Sequence, residues 1–240
     1  MSQTLFVSDL HLDQKRPHII AAFCRFLQEC SSADALYILG DLFEYWIGDD
    51  DPAIGLEPAI SAIRELSNTG VPVYFIHGNR DFLIGKRFAK QTQCKILAEE
   101  TVLDLYGTPT LIMHGDTLCT DDIAYQKYRA KARNPWIQKP LLMLSVQRRL
   151  KIAEGLRNKS KSATQEKPED IMDVNQLAVE QVMQKHNVNH LIHGHTHRPA
   201  EHEFNLGGNS YRRIVLGDWY DQGSVLRCTT ETMKLETIDT

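Results

Sequence analysis

Residues 191–199 read LIHGHTHRP and set His193, His195 and His197 directly after an apolar run. In an extended chain the side chains alternate faces, so His195 and His197, two apart, can both face one point beyond the end of a strand. Two imidazoles aimed at one point suggest a metal ion. The plain alternative is a histidine-rich loop that happens to follow a strand. The rest of the chain decides between them.

Working outward, the same arrangement recurs. Residues 5–7 form a short apolar strand that runs into Ser8-Asp9-Leu10-His11, where Asp9 and His11 again share a face. Residues 35–39 are continuously apolar, as in a strand covered on both faces, and end in Gly40-Asp41. Residues 71–76 end in His77-Gly78-Asn79-Arg80-Asp81. A hairpin built on strands 102–105 and 110–113, with its turn at Tyr106-Gly107-Thr108-Pro109, delivers His114-Gly115-Asp116. Apolar residues at helical spacing predict helices over 18–30, 56–68, 85–92 and 179–186. Strands around 213–216, 225–229 and 234–238 are expected to continue the sheet in antiparallel fashion.

This alternation predicts an α/β fold. In open α/β sheets, ligands gather beyond the carboxyl ends of the strands. Five strands end in Asp9/His11, Asp41, Asn79, His114 and His195/His197, so one sheet edge is expected to collect every candidate ligand. One polar residue at a strand end is usually a cap or a satisfied turn. Five such ends are not explained that way.

The 240 residues, 42% apolar, are read as one domain over 1–240 carrying an insertion over 122–167. Five cysteines without a C-x-x-C pair indicate neither a disulfide framework nor a zinc knuckle. The N-terminus lacks a basic segment and meets Asp9 early, so it is a poor secretory signal and the protein is expected to be intracellular. The net charge of -4 hides a split: 122–167 holds twelve Lys plus Arg against three Asp plus Glu, or +9, leaving -13 elsewhere. A basic arm on an acidic body suggests an anionic partner for the arm and cations for the body.

Asp9-x-His11, Gly40-Asp41, Gly78-Asn79, His114 after a strand, and Gly194-His195-x-His197 together resemble the calcineurin-like metallophosphoesterase superfamily. The resemblance implies a four-layer α/β/β/α sandwich with two metal ions. Asp9, His11, Asp41 and His197 would hold one, Asp41, Asn79, His114 and His195 the other, with manganese favoured. Two divalent cations ~3.5 to 4 Å apart need a shared carboxylate to damp their repulsion, which would be Asp41, and they activate water as the nucleophile. His193 falls before the superfamily motif and is expected to support a ligand from behind.

Arg80 stands where the superfamily often has a histidine, a candidate general acid. A guanidinium donates a proton poorly but suits a phosphate, so Arg80 reads as a phosphate clamp and the leaving group must need little protonation. A phosphate leaving group meets that need. The stretches GNRD (78–81), HGDTLCTDD (114–122) and IMDVNQ (171–176) narrow the resemblance to the superfamily's pyrophosphohydrolases that cleave a diacylated UDP-glucosamine in lipid A biosynthesis. What that implies is catalysis by Asp41, Asn79, Arg80 and His114. Substrate contacts would fall to Asn79, Arg80, Asp122, Ser160, Thr164, Lys167 and His195. Asp122 equally suits the start of a helix.

Residues 123–156 mix Tyr, Trp, Leu, Ile and Met with Lys and Arg, either an ordinary helical subdomain or a lid that meets lipid, with Leu142 and Leu144 expected on its acyl-facing side. A dozen methylenes at ~0.8 kcal/mol each resist leaving a bilayer, so the enzyme must come to its substrate. Basic residues adding about 1 kcal/mol apiece near an anionic leaflet would dock it peripherally on the cytoplasmic face of the inner membrane. The longest apolar stretch in the insertion, 141–146, falls far short of the ~20 residues of a spanning helix. No nucleic acid and no obligate protein partner is expected. The rivals are a nuclease or soluble phosphodiesterase of the same superfamily, and a non-catalytic scaffold on its fold.

Overall fold

A computed structural model describes residues 2–166, 169–220 and 222–239, with the backbone alone for 159–166 and 169–170. The first half runs β1 (Thr4–Val7), α1 (Pro17–Glu29), β2 (Ala35–Ile38), α2 (Glu57–Asn68), β3 (Val73–Phe75), α3 (Lys86–Thr92) and β4 (Lys95–Ile96). A hairpin follows, β5 (Thr101–Leu105) and β6 (Thr108–Ile112), and then α4 (Ile123–Ala132), α5 (Pro135–Leu142), α6 (Val146–Glu166) and α7 (Glu169–Met172). The chain closes with α8 (Gln176–Lys185), β7 (His190–His193), β8 (Ala200–Leu206), β9 (Asn209–Val215), β10 (Gly223–Cys228) and β11 (Met233–Ile238).

The strands form two sheets, ordered β11-β10-β1-β2-β3-β4 and β5-β6-β7-β9-β8. Period-two alternation decides which side chains meet. From β1, Phe6 points into a layer shared with Ile112, Ile192, Ile214 and Leu226, which glues the sheets face to face. Its neighbours Leu5 and Val7 point the other way, onto Ile19, Phe23 and Phe26 of α1 and Ile60 and Ile63 of α2. Across the second sheet, Leu111 and Leu191 pack on Val179 and Met183 of α8. Helices, sheet, sheet, helix: the α/β/β/α sandwich is present.

Local chemistry sets the helix ends. Pro17 opens α1 at a position whose N–H has no intrahelical partner. The side chain of Asn175 accepts the N–H groups of Leu177 and Ala178 to start α8, and Asp122 accepts that of Tyr125 to start α4.

Three expectations are corrected. The ligand-bearing strand ends belong to two sheets: β1, β2 and β3 lie parallel in one, β6 and β7 parallel in the other. The tail is not a simple antiparallel continuation either, since β9 runs parallel to β7 while β10 and β11 return to the first sheet beside β1. The hairpin turn is only Tyr106-Gly107, both at positive φ, and Pro109 already pairs with Asp104. Strands β4 and β8 were not anticipated. Two residues are too few to show alternation, and β8, AEHEFNL, is mostly polar because it edges its sheet.

Candidate metal centre and active site

The carboxyl ends of β1, β2, β3, β6 and β7 converge at one end of the sandwich. Asp9, His11, Asp41, His195 and His197 all hold left-handed backbone, at φ of 54°, 47°, 51°, 71° and 57°. Each such residue costs of order 1 kcal/mol or more and persists only when its surroundings over-determine it. They do so here: Asp9 N–H donates to Gly40 O, His11 N–H to Asp41 O, and Trp219 N–H to Asp9 O. Asp81 is buried and ties two loops together, accepting Leu42 N–H at 2.7 Å and Gly78 N–H at 2.9 Å. Burial, and then the nearby Asp41, raise its pKa to about 7.

Glycine is required where backbones crowd these side chains. A Cβ on Gly78 would fall 2.1 Å from Asp41 Oδ1, and one on Gly194 would fall 2.3 Å from Asp9 Oδ2.

The side chains gather around two poles. At one, His197 Nε2 lies 3.2 Å from His11 Nε2 and 3.3 Å from Asp9 Oδ1. At the other, His114 Nε2 lies 3.1 Å from Asn79 Oδ1 and 3.2 Å from His195 Nδ1. Asp41 stands between them, with Oδ2 3.9 Å from His11 Nε2 and Oδ1 3.9 Å from His114 Nε2. All seven residues read from the sequence as ligands are therefore brought together.

A divalent cation fits this donor set. Ligand atoms of Asp9, His11 and His197, and of Asp9, Asp41 and His114, lie within 4.8 Å of one another. Oδ1 of Asp9 is buried without a hydrogen-bond partner, an arrangement that a cation would satisfy. Burial, and then His114, push His195 down to about 4, so it is a neutral imidazole. Burial alone would raise Asp9, but the close approach of His197, with His114 and His11 beyond it, holds it well below the usual carboxylate range. His197 itself, against burial, is raised to about 10 by Asp218 and Asp9; carboxylates that favour a proton there also favour a cation. The far nitrogens are anchored: His114 Nδ1 to Leu39 O at 2.8 Å, His197 Nδ1 to Asp218 Oδ2 at 2.9 Å.

A profile for the calcineurin-like phosphoesterases matches residues 2–199. The chain belongs to the calcineurin-like phosphoesterase family. Members of this family bind divalent metals, in keeping with the donor set above. Among curated relatives, UDP-2,3-diacylglucosamine hydrolase of Salmonella typhi is 56% identical over 234 residues, covering 97% of each chain. Proteins of the same name from Serratia proteamaculans and Klebsiella pneumoniae are each 54% identical over 233 residues, again covering 97% of each chain.

Beside this phosphoesterase centre opens a cavity of about 420 Å³. Asn79, Arg80 and Asp122 line its polar side, and Phe82, Tyr128, Leu141, Ile152 and Leu156 its apolar side. Leu142 and Leu144, the sequence's choice for an acyl-facing surface, do not line it. The side chains of Ser160 and Thr164, and all of Lys167, lie outside the described residues. His193 is fully buried and pushed down to about 3 by burial and then by Arg213, with Nδ1 2.9 Å from Gly194 O.

Helices α4 and α6 are pinned to earlier segments of the chain by cations that the charge count leaves undifferentiated. Arg129 donates to Asp116 and Glu99 at 2.6 Å each, and Arg133 to Gly78 O at 2.9 Å. Arg149 is 2% exposed and donates to Asp50 and to the carbonyls of Ile47 and Leu144. Arg157 pairs with Glu44. Sequence reasoning missed Glu44, Asp81, Asp218 and Tyr125, the last of which donates to Asp116 and lies against His195. Asp218 alone had a readable signal, the Gly217-Asp218 pair that repeats Gly40-Asp41 and Gly115-Asp116.

Proposed function

We propose that this chain hydrolyses the pyrophosphate bond of UDP-2,3-diacylglucosamine, with water attacking the α-phosphorus, to give UMP and 2,3-diacylglucosamine 1-phosphate (lipid X) in lipid A biosynthesis. The observation that carries the reading is Asp41 presenting one oxygen to each histidine pole at the edge of a largely apolar cavity. The substrate named for relatives at 54 to 56% identity supports it.

Asp9, His11, Asp41 and His197 would hold one Mn2+, and Asp41, Asn79, His114 and His195 a second. Such ions, when bound, polarise phosphoryl oxygens and lower the pKa of water toward roughly 7. The chain's own groups do the rest. Asp41 keeps the poles together, while His195 and Asn79 orient both donor set and substrate. Arg80, whose Nε is buried without a hydrogen-bond partner, offers its fork to the phosphates. No group need donate a proton to the leaving side, because a phosphate departs as a stable anion.

Residues 122–167 act as a lid on the 1–240 domain, placing acyl chains against Tyr128, Leu141, Ile152 and Leu156. Asp122, Ser160, Thr164 and Lys167 would contact the sugar phosphate. No helix among the described residues is long and apolar enough to cross a membrane. Trp136, 80% exposed, and Met143, 86% exposed, sit on the insertion with exposed Lys139, Arg148 and Lys151, a surface suited to peripheral docking on the anionic cytoplasmic leaflet of the inner membrane.

Incubating the pure protein with Mn2+ and UDP-2,3-diacylglucosamine should release UMP in step with lipid X. Absence of UMP, with cleavage of single-stranded DNA or of a simple phosphodiester, would replace this reading by the nuclease or phosphodiesterase alternative.

A further inference from the structure

Two of the histidines at the poles turn their far nitrogens to an oxygen that fixes the ring, Leu39 O for His114 and Asp218 for His197. His11 differs from these two: its Nδ1 is buried without a hydrogen-bond partner. The carboxylate that approaches it is Glu44, whose Oε2 stands 3.4 Å away, near but outside hydrogen-bond alignment. The other oxygen of Glu44 is ion-paired with Nε of Arg157 on α6. Glu44 is well shielded, its side chain 13% exposed, and it lines the cavity between body and insertion.

We propose that Glu44 is a positioning residue that orients His11 and, through Arg157, couples the seating of α6 over the cavity to cation binding at the pole of Asp9, His11 and His197. The inference rests on the reading of that pole as a divalent-cation site. In this chain of groups the Glu44 carboxylate lies between two donors, the outer ring nitrogen of His11 and the guanidinium of Arg157. A cation held by His11 would make the outer ring N–H a stronger donor toward Glu44, whose second oxygen is already paired with Arg157. Removing the guanidinium leaves Glu44 without the contact that aims it. Linkage requires reciprocity, so whatever seats α6 must tighten the cation by the same factor.

Calorimetric titration with Mn2+ alone, without lipid, tests this. Glu44→Ala should weaken binding about tenfold or more, as loss of an orienting partner does. Arg157→Ala should weaken it severalfold although Arg157 touches none of the three ligands, and Arg157→Lys should restore most of the loss. The double variant should bind no more weakly than Glu44→Ala, because both changes cut one chain of contacts. In the wild type, Mn2+ should slow hydrogen exchange at the amides of residues 146–158, and in Glu44→Ala it should not. A purely structural role would lower the melting temperature of the metal-free variants while leaving Mn2+ affinity intact, and would overturn the proposal. Wild-type affinity in Arg157→Ala, or additive losses in the double variant, would overturn the coupling and leave the metal reading standing. A wild-type chain that binds no Mn2+ would bring both down.

Discussion

The main-chain N–H of Arg80 donates to Oδ1 of Asp41 at 2.8 Å. The residue read from the sequence as a clamp on substrate therefore also fixes, through its backbone, the carboxylate that stands between the two poles. Side chain and main chain of Arg80 have separable duties.

Arg80→Ala should consequently reduce kcat/KM by about a hundredfold or more while leaving Mn2+ content unchanged, since the N–H to Asp41 survives the substitution. Arg80→Lys should recover only part of the loss, because a point charge does not reproduce a fork. Elemental analysis showing lost metal in Arg80→Ala would make the side chain structural.

Asp41→Asn should lose both cations and Asp9→Asn one. Asparagine at position 9 still offers an oxygen to the His195 N–H, which Asp9 Oδ2 accepts at 2.8 Å, so the second pole keeps its loop. Stoichiometry measured at saturating Mn2+ decides the matter, and equal losses in the two variants would rule out Asp41 as the shared ligand.

Gly78→Ala should destabilise the metal-free protein by at least ~1 to 3 kcal/mol and empty the centre, because its methyl would overlap Asp41. Gly155→Ala in α6 is the control: among the described residues nothing lies within 4 Å of a Cβ there, and alanine favours helix by about 1 kcal/mol. Thermal melts and metal analysis of both variants provide the check.

Ile152→Asn combined with Leu156→Asn should depress kcat/KM for the diacylated substrate at least tenfold more than for a short UDP-sugar, since each apolar side chain contributes ~1.5 to 3 kcal/mol of burial. Both line the cavity and both are about two-fifths exposed in the protein alone. An unchanged ratio of the two constants would assign the stripe to packing.

That these side chains gather was legible in the sequence because Asp, Asn and His recur just past the ends of apolar strands. Asp9, His11, His195 and His197 were legible as rare residue types just past strand ends, but the period-two reason fails: all four lie beyond β1 and β7 in left-handed backbone, and His195 and His197 turn to different poles instead of one point. The assumption that strands share a sheet was not safe: β1 to β3 and β6 to β7 are equally apolar whether they pair edge to edge or stack face to face. Long-range partners left no local trace. Glu44 sits in FEYW as an ordinary polar residue, and only the fold brings it to His11 and Arg157. Likewise twelve basic residues in the insertion looked alike, yet Arg129, Arg133, Arg149 and Arg157 are engaged by the body, while Lys127, Lys131, Lys139, Arg148 and Lys151 face solvent.

The placement of β10 against β1, with Trp219 N–H on Asp9 O, has a bearing on synthesis. A ribosome delivers His11 well ahead of its companion His197 and of the strand that backs it. Asp41, Asn79 and His114 are all out well before either. The pole at Asp9 can therefore close only after His197 and β10 have emerged, so cation capture there should come later than the synthesis of Asp41, Asn79 and His114. Stalled nascent chains ending before Gly217 should show no saturable Mn2+ binding at that pole, whereas capture by such chains would mean that β10 is dispensable for building it.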